Sequence, residues 1–249
     1  MPDTPLNEPL CVLPRIGGMA TMPSRINSLR VALPKILPQV DFLYLYFDKY
    51  KAIPSEFSSN PKIISILPEI NQNLGCSGKF QGLKLYDKPC LYFCFDDDII
   101  YPIGYVSHLE IALRRHHYRA LIGVHGCVYK LPLTSYARDR LIIHFKAGLN
   151  FEAIVDELGT GTLAFHSNCI KINHDKWLNP NMSDLNIMLE AVHQKVQRIC
   201  IRRNQNYIQS IAEGQLDSIF RKTLNNDSTE TAMLQTAMIN YPSSWSFSS

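Results

Sequence analysis

Three consecutive aspartates, Asp96, Asp97 and Asp98, close the apolar run PCLYFCF of residues 89–95 and precede Ile99 and Ile100. Carboxylates this close repel one another unless a proton or a cation lies among them. Oxygen donors suit a hard divalent ion, Mg2+ or Mn2+. Such an ion takes only part of its coordination from protein and leaves positions for water or substrate phosphates. If the strand continues through the triplet, its alternation sends Asp96 and Asp98 to one side and Asp97 to the other. Two other readings fit the same residues: a solvated acidic strand end, and the aspartyl-phosphate nucleophile of a phosphohydrolase. That nucleophile usually lies near the start of its fold and precedes a hydroxyl residue, where this chain has Ile99.

The chain has 249 residues, 46% hydrophobic and 19% charged, which allows a sizeable core and excludes a disordered polymer. A net charge of +3 falls short of the strongly basic signature of nucleic-acid binding, so no nucleic-acid partner is expected. The seven cysteines are odd in number, form no CxxC pair and sit mostly in apolar surroundings. They read as buried thiols in a reducing compartment rather than as disulfides or a zinc site. The N-terminus lacks a secretory pattern, and no stretch approaches the roughly 20 apolar residues that span a bilayer. The expected location is the cytoplasm, open to contact with the inner face of a membrane.

The elements that position the triplet alternate between strand and helix. Strands are expected over 11–21, 41–47, 61–67, 89–95, 119–129 and 196–203. Ile26, Leu29, Leu33 and Leu37 have helical spacing, with Ser24 as cap and Pro34 as a break or kink. Further helices are expected over 77–87 with its cap at Ser77, over 102–117, and over 182–195 with its cap at Ser183. From about residue 204 the chain turns polar and reads as ending in a mobile tail. The alternation predicts an α/β fold with a mainly parallel central sheet and helices on both faces. Ligands in such sheets bind beyond the carboxyl ends of the strands, where the triplet lies.

An apolar strand ending in Asp-x-Asp after about 90 residues of α/β chain resembles the nucleotide-sugar glycosyltransferases of the Rossmann-like GT-A fold. FDDDIIYPIGYV, IGVHGCVY and ELGTGTLAF occur in an order similar to that of bacterial capsule and lipopolysaccharide transferases. Among those the chain looks most like the heparosan-capsule α-N-acetylglucosaminyltransferases. MATMPSR, GCSGKF and MSDLNIMLEA fit as well, so the resemblance spans roughly residues 15–222. It implies one domain over 1–222, with a donor half near 10–125, an acceptor half near 126–222, and a tail over 223–249.

The resemblance also implies roles. Asp98 would bind Mn2+ or Mg2+, Asp96 would share the metal or hold the donor ribose, and Asp97 would assist through water. Met19 and Ala20 would lie where the donor base and ribose sit, and Arg25 and Lys79 would meet uracil or diphosphate. His125, Gly161 and Thr162 would lie near the donor sugar. Asp184 would face the acceptor hydroxyl, as general base in an inverting enzyme, or as an orienting and charge-stabilising group in a retaining one. The implied activity is metal-dependent transfer of a sugar, N-acetylglucosamine first, from a UDP-sugar with retention, forming an α-linkage to a surface polysaccharide. The implied partners are the UDP-sugar, an oligosaccharide or lipid-linked glycan acceptor, and a peripheral membrane or capsule-assembly complex. A non-catalytic nucleotide-sugar-binding subunit is the remaining alternative. Without the resemblance, Arg25 and Lys79 read as solvated cations, His125 as structural, Gly161 and Thr162 as an ordinary turn, and Asp184 as a charge at a helix start. Lys195, Arg198, Arg202, Arg203, Arg221 and Lys222 form a scattered basic face, and Trp245 and Phe247 are candidates for interfacial contact.

Overall fold

A computed structural model describes residues 12–69, 74–177, 179–211 and 223–246. The strands are β1 (Arg15–Thr21), β2 (Phe42–Phe47), β3 (Ile63–Ile66), β4 (Leu91–Phe95), β5 (Ile99–Ile100), β6 (Ala120–Gly123), β7 (Gly126–Tyr129), β8 (Arg140–Ile143), β9 (Ala153–Ile154), β10 (Glu157–Leu158), β11 (Ala164–His166), β12 (Gln197–Cys200) and β13 (Gln209–Ser210). The helices are α1 (Ile26–Ile36), α2 (Ser55–Ser58), α3 (Gly82–Leu85), α4 (Tyr105–Arg115), α5 (Ser183–His193) and α6 (Ser228–Asn240).

Eight strands form the central sheet in the order β3-β2-β1-β4-β11-β6-β12-β9. β3, β2, β1 and β4 pair in parallel, as do β6 and β12, while β11 runs antiparallel between β4 and β6 and β9 runs antiparallel at the edge. Strands buried on both faces read as unbroken apolar runs, which explains why LYLYF and LYFCF carry so little polarity. One face packs Leu43, Leu45 and Phe93 against α1 and α4. The other packs Tyr44, Tyr92 and Phe165 against Phe80 and α5. The expected α/β architecture, with helices on both faces, is the one observed.

Several local expectations are corrected. Pro34 stays inside α1, and a 3-10 turn, Pro23–Arg25, precedes that helix in place of a Ser24 cap. Residues expected as a single helix over 77–87 form a 3-10 turn, Gly75–Phe80, and the short α3. Residues 119–129 split into β6 and β7. Ser183 is the first residue of α5 rather than its cap.

The stretch read as a mobile tail contains α6, which buries Leu234 and Ala237 beside Leu185 and Met188 of α5. Trp245 joins the same cluster at 4% exposure, so it is a core residue rather than an interfacial one. Arg198 and Arg203 are also buried, and their guanidiniums donate to backbone carbonyls of Val155, Val196 and Ser244, and of Ile201 and His144. They belong to the core, not to a basic face. Phe247, Arg221 and Lys222 lie outside the described residues.

Candidate active site

At the carboxyl ends of β1, β2 and β4 lies a cleft of about 560 Å³. That is ample for a small organic ligand. Six acidic side chains (Asp48, Asp96, Asp97, Asp98, Asp184 and Glu230) and four basic ones (Arg25, Lys49, Lys79 and Arg140) line it. The excess of carboxylate favours a bound cation.

β4 ends at Phe95, and the triplet follows in a turn rather than in continued strand, so alternation does not apply to it. All three carboxylates line the one cleft, which corrects the expected split between faces. Each has a protein partner. Asp96 accepts from the Lys79 ammonium at 2.5 Å, Asp97 from the Thr21 hydroxyl at 2.6 Å, and Asp98 from the Arg25 guanidinium at 3.0 Å. Burial first, and then the neighbouring carboxylates against the Thr21 bond, push Asp97 up to about 7. Burial and the charge of Asp96 also raise Asp98, with Arg25 opposing.

Lys79 is placed by the two central strands. Gly18 on β1 has no Cβ, and one built there would stand 2.1 Å from the Lys79 carbonyl. The 3-10 turn therefore lies flat on the sheet, where the Tyr92 hydroxyl donates to the same carbonyl at 2.6 Å. The Lys79 side chain is buried. Burial alone would lower its pKa, but Asp96 and its hydrogen bond hold it above the ordinary lysine value. Tyr101 ties the triplet to the turn Thr160–Thr162: its hydroxyl donates to the Gly161 carbonyl at 2.6 Å and receives the Asp96 amide at 2.7 Å.

From Lys79 the polar chain continues to Thr160 and the start of α5. Thr160 Oγ1 donates to Asp184 Oδ1 at 2.6 Å, and the Thr160 amide donates to the same oxygen at 2.8 Å. With its proton committed there, Thr160 accepts from Ser183 Oγ at 2.8 Å. Asp184 is thus held at the cleft wall by groups that also touch the lysine of the triplet.

The cleft brings together Ala20, Arg25, Lys79, Asp96, Asp97, Asp98 and Asp184 of the candidates named from sequence. Met19 is instead fully buried in the core beneath β1. Thr162 points inward, where its hydroxyl accepts from the Val124 and His125 amides, and the residue facing the cleft is Thr160. His125 packs on Gly159 and His144 and is not among the residues that line the cleft, and burial lowers it to about 4. Gly161 acts by closeness: a Cβ there would stand 2.0 Å from Asp96 Oδ2.

Other cleft residues were not anticipated. Asp48 ends the apolar strand β2 as Asp96 ends β4, a signal the sequence does contain. Tyr136, by contrast, comes from an irregular segment with no pattern to mark it, and Arg140 opens the short strand β8 just after it. Arg140 reaches Glu157 at 3.5 Å and stacks over the Tyr136 ring at 5.2 Å. The Tyr129 and Tyr136 hydroxyls donate to Glu157 at 2.9 and 3.0 Å.

Glu157 supplies a pH prediction. Its burial, with Asp184 nearby, raises it to about 7 against Arg140 and the tyrosine bonds. A raised folded-state value means that the fold binds this proton more tightly than the unfolded chain does. The stabilisation is complete below the ordinary value of 4.5 and is lost as pH rises through about 7. Glu157→Gln should therefore flatten the fall of Tm between those values, as read by thermal melts across pH. Parallel wild-type and variant profiles would contradict it.

The donor set fits a divalent ion in part. The oxygens are hard and mutually repelling, and burial raises Asp97 and Asp98, but no group of three His, Cys, Asp or Glu converges on one point among the described residues. A cation here would draw at most two carboxylates, from Asp98 and Asp96, with the rest supplied by water or phosphate oxygens, which is the habit of Mg2+ and Mn2+.

No family model and no curated protein matches the chain. Solved structures do match in fold. A crystal structure of GalNAc-T7 with UDP, GalNAc and Mn2+ aligns with a TM-score of 0.56 over 80% of this chain at 5% identity. The fold is GT-A. The chain spans less than half of that structure, 45% of its length, so the likeness concerns the GT-A scaffold alone. Among the described residues no helix is long and apolar enough to cross a membrane.

Proposed function

We propose that this chain is a divalent-metal-dependent glycosyltransferase that moves a sugar from a UDP-sugar to a hydroxyl of a bacterial surface polysaccharide. The observation that carries the reading is the cleft. An acidic triplet, two cations bonded to it and Asp184 share one cavity at the carboxyl edge of a GT-A sheet. The neighbouring fold that holds UDP, GalNAc and Mn2+ supports the same class of ligand. The finer assignment, N-acetylglucosamine transferred with retention to give an α-linkage, rests on the sequence resemblance to heparosan-capsule enzymes.

Asp98 and Asp96 are the residues that would hold Mn2+ or Mg2+. When bound, that ion supplies Lewis-acid stabilisation of the negative charge on the departing diphosphate. Arg25 and Lys79 add fixed positive charge on the same side of the cleft, without reorganisation during the reaction. Asp97, bonded to Thr21, keeps the turn that carries both neighbours in place. Asp184, its carboxylate fixed by Thr160, orients the acceptor hydroxyl and stabilises positive charge developing on the sugar.

A thermal-shift screen of nucleotide sugars with and without Mn2+ tests the reading. A ligand at about 100 times its Kd stabilises by about 2.7 kcal/mol, and a chain of this size gains about 2–4 °C per kcal/mol. UDP-N-acetylglucosamine with Mn2+ should therefore raise Tm by about 5–10 °C, and EDTA should erase most of the rise. A shift indifferent to metal would sink the metal role. Phosphate release from simple phosphomonoesters without UDP binding would favour a phosphohydrolase instead.

A further inference from the structure

Asp227 is the cap residue of α6, yet its carboxylate makes no capping bond to its own helix. An aspartate at that position ordinarily accepts from the first-turn amides of its helix. Here Asp227 Oδ2 turns to the segment before β8, accepting from the Ser135 hydroxyl at 2.5 Å and the Ala137 amide at 2.8 Å. Three more bonds follow from the same part of the chain. The Tyr136 amide donates to Thr231 Oγ1 at 2.9 Å, Gln235 Nε2 donates to the Leu133 carbonyl at 2.9 Å, and Arg138 Nη2 donates to the Leu224 carbonyl at 3.3 Å. The far end of the segment is anchored as well: the Ser246 amide donates to the buried Asp156 at 2.7 Å, and the Ser244 carbonyl accepts from Arg198 at 2.6 Å.

The clasped segment carries Tyr136 and ends at Arg140, both of which line the cleft. α6 and its approach contribute Thr223, Asn226 and Glu230 to the same wall. That wall adjoins Asp184, whose charge acts on both Tyr136 and Glu157. Arg25 and the triplet lie at the β1 and β4 end of the cleft. We propose that the C-terminal segment, residues 223–246, is a clasp that builds the acceptor wall of the cleft, with Asp227 as the positioning residue that sets Tyr136 and Arg140. The proposal rests on the glycosyltransferase reading for the word acceptor, and on contacts alone for the clasp.

The test compares Asp227→Ala, Asp227→Asn and Thr231→Val in the full chain. Both donors meet a single oxygen of Asp227, so Asn retains an acceptor for them and Ala does not. Hydrogen–deuterium exchange over residues 133–139 should rise about tenfold in Asp227→Ala and stay near wild type in Asp227→Asn. With UDP-N-acetylglucosamine as donor and heparosan oligosaccharides as acceptor probe, the acceptor KM should rise about tenfold in Asp227→Ala. The Kd for UDP with Mn2+ should stay within twofold, and Asn should rescue the KM. Thr231→Val repeats the comparison in case Asp227→Ala fails to fold. Unchanged exchange would overturn the clasp. Faster exchange with unchanged acceptor KM, or with UDP affinity weakened equally, would overturn its role at the acceptor wall. A wild type that binds no UDP would sink the glycosyltransferase reading and leave the exchange comparison to judge the clasp.

Discussion

Asp98→Asn should lower kcat for sugar transfer by about 10³-fold while leaving the fold intact. The carboxamide keeps the shape and an oxygen acceptor for Arg25 but removes the charge that a divalent ion requires. Loss of several kcal/mol of charge stabilisation on the leaving diphosphate corresponds to two to three orders of magnitude in rate. The fold should tolerate the change, because the Asp98 side chain is 32% exposed and lies in a turn after β4 rather than in the core. Steady-state kinetics with circular dichroism read both halves of the prediction. A variant that turns over at more than a tenth of the wild-type rate would remove Asp98 from the metal site.

Gly161→Ala should lower kcat by about 10²-fold without altering any charge. The added Cβ would stand 2.0 Å from Asp96 Oδ2 and 2.5 Å from Asp96 Cγ. The Gly161 backbone is held by the bond its carbonyl receives from Tyr101, so the carboxylate must yield. A displacement of about 1 Å in a group that positions substrate costs about 10² in rate. Displacing Asp96 also weakens the counter-charge of buried Lys79, so Tm should fall by a few degrees. Gly104→Ala is the control. Gly104 sits at φ +82 with open space around its Cβ direction, so that change strains the backbone by about 1 kcal/mol without touching the cleft. Equal losses of activity in both variants would show that Gly161 acts through general stability rather than through Asp96.

The parallel half of the sheet was legible because strands buried on both faces leave unbroken apolar runs, as in LYLYF and LYFCF. β9, β10 and β13 have two residues each, too short to carry a period, so no strand is expected there from sequence. Asp96, Asp97 and Asp98 could be found because they are charges placed at the end of an apolar strand, whereas Lys79 and Asp184 stand out through the family resemblance. The choice between Thr160 and Thr162 could not be made: both lie in one 3-10 turn, and only its rotation decides which hydroxyl meets the cleft. Tyr136 gave no signal because tertiary bonds from α6 and its cap, not local pattern, hold its segment. Polar composition after residue 204 hid α6 itself, whose buried side comes down to a few residues such as Leu234 and Ala237.

The central claim is that two neighbouring carboxylates in this cleft share a divalent ion with a nucleotide diphosphate. A crystal of the protein with UDP and Mn2+, measured at the manganese absorption edge, tests it most directly. The account predicts one anomalous peak beside the carboxylates of Asp98 and Asp96, with UDP bound in the same cleft. A nucleotide bound elsewhere, or UDP in the cleft with no manganese peak beside residues 96–98, would contradict it.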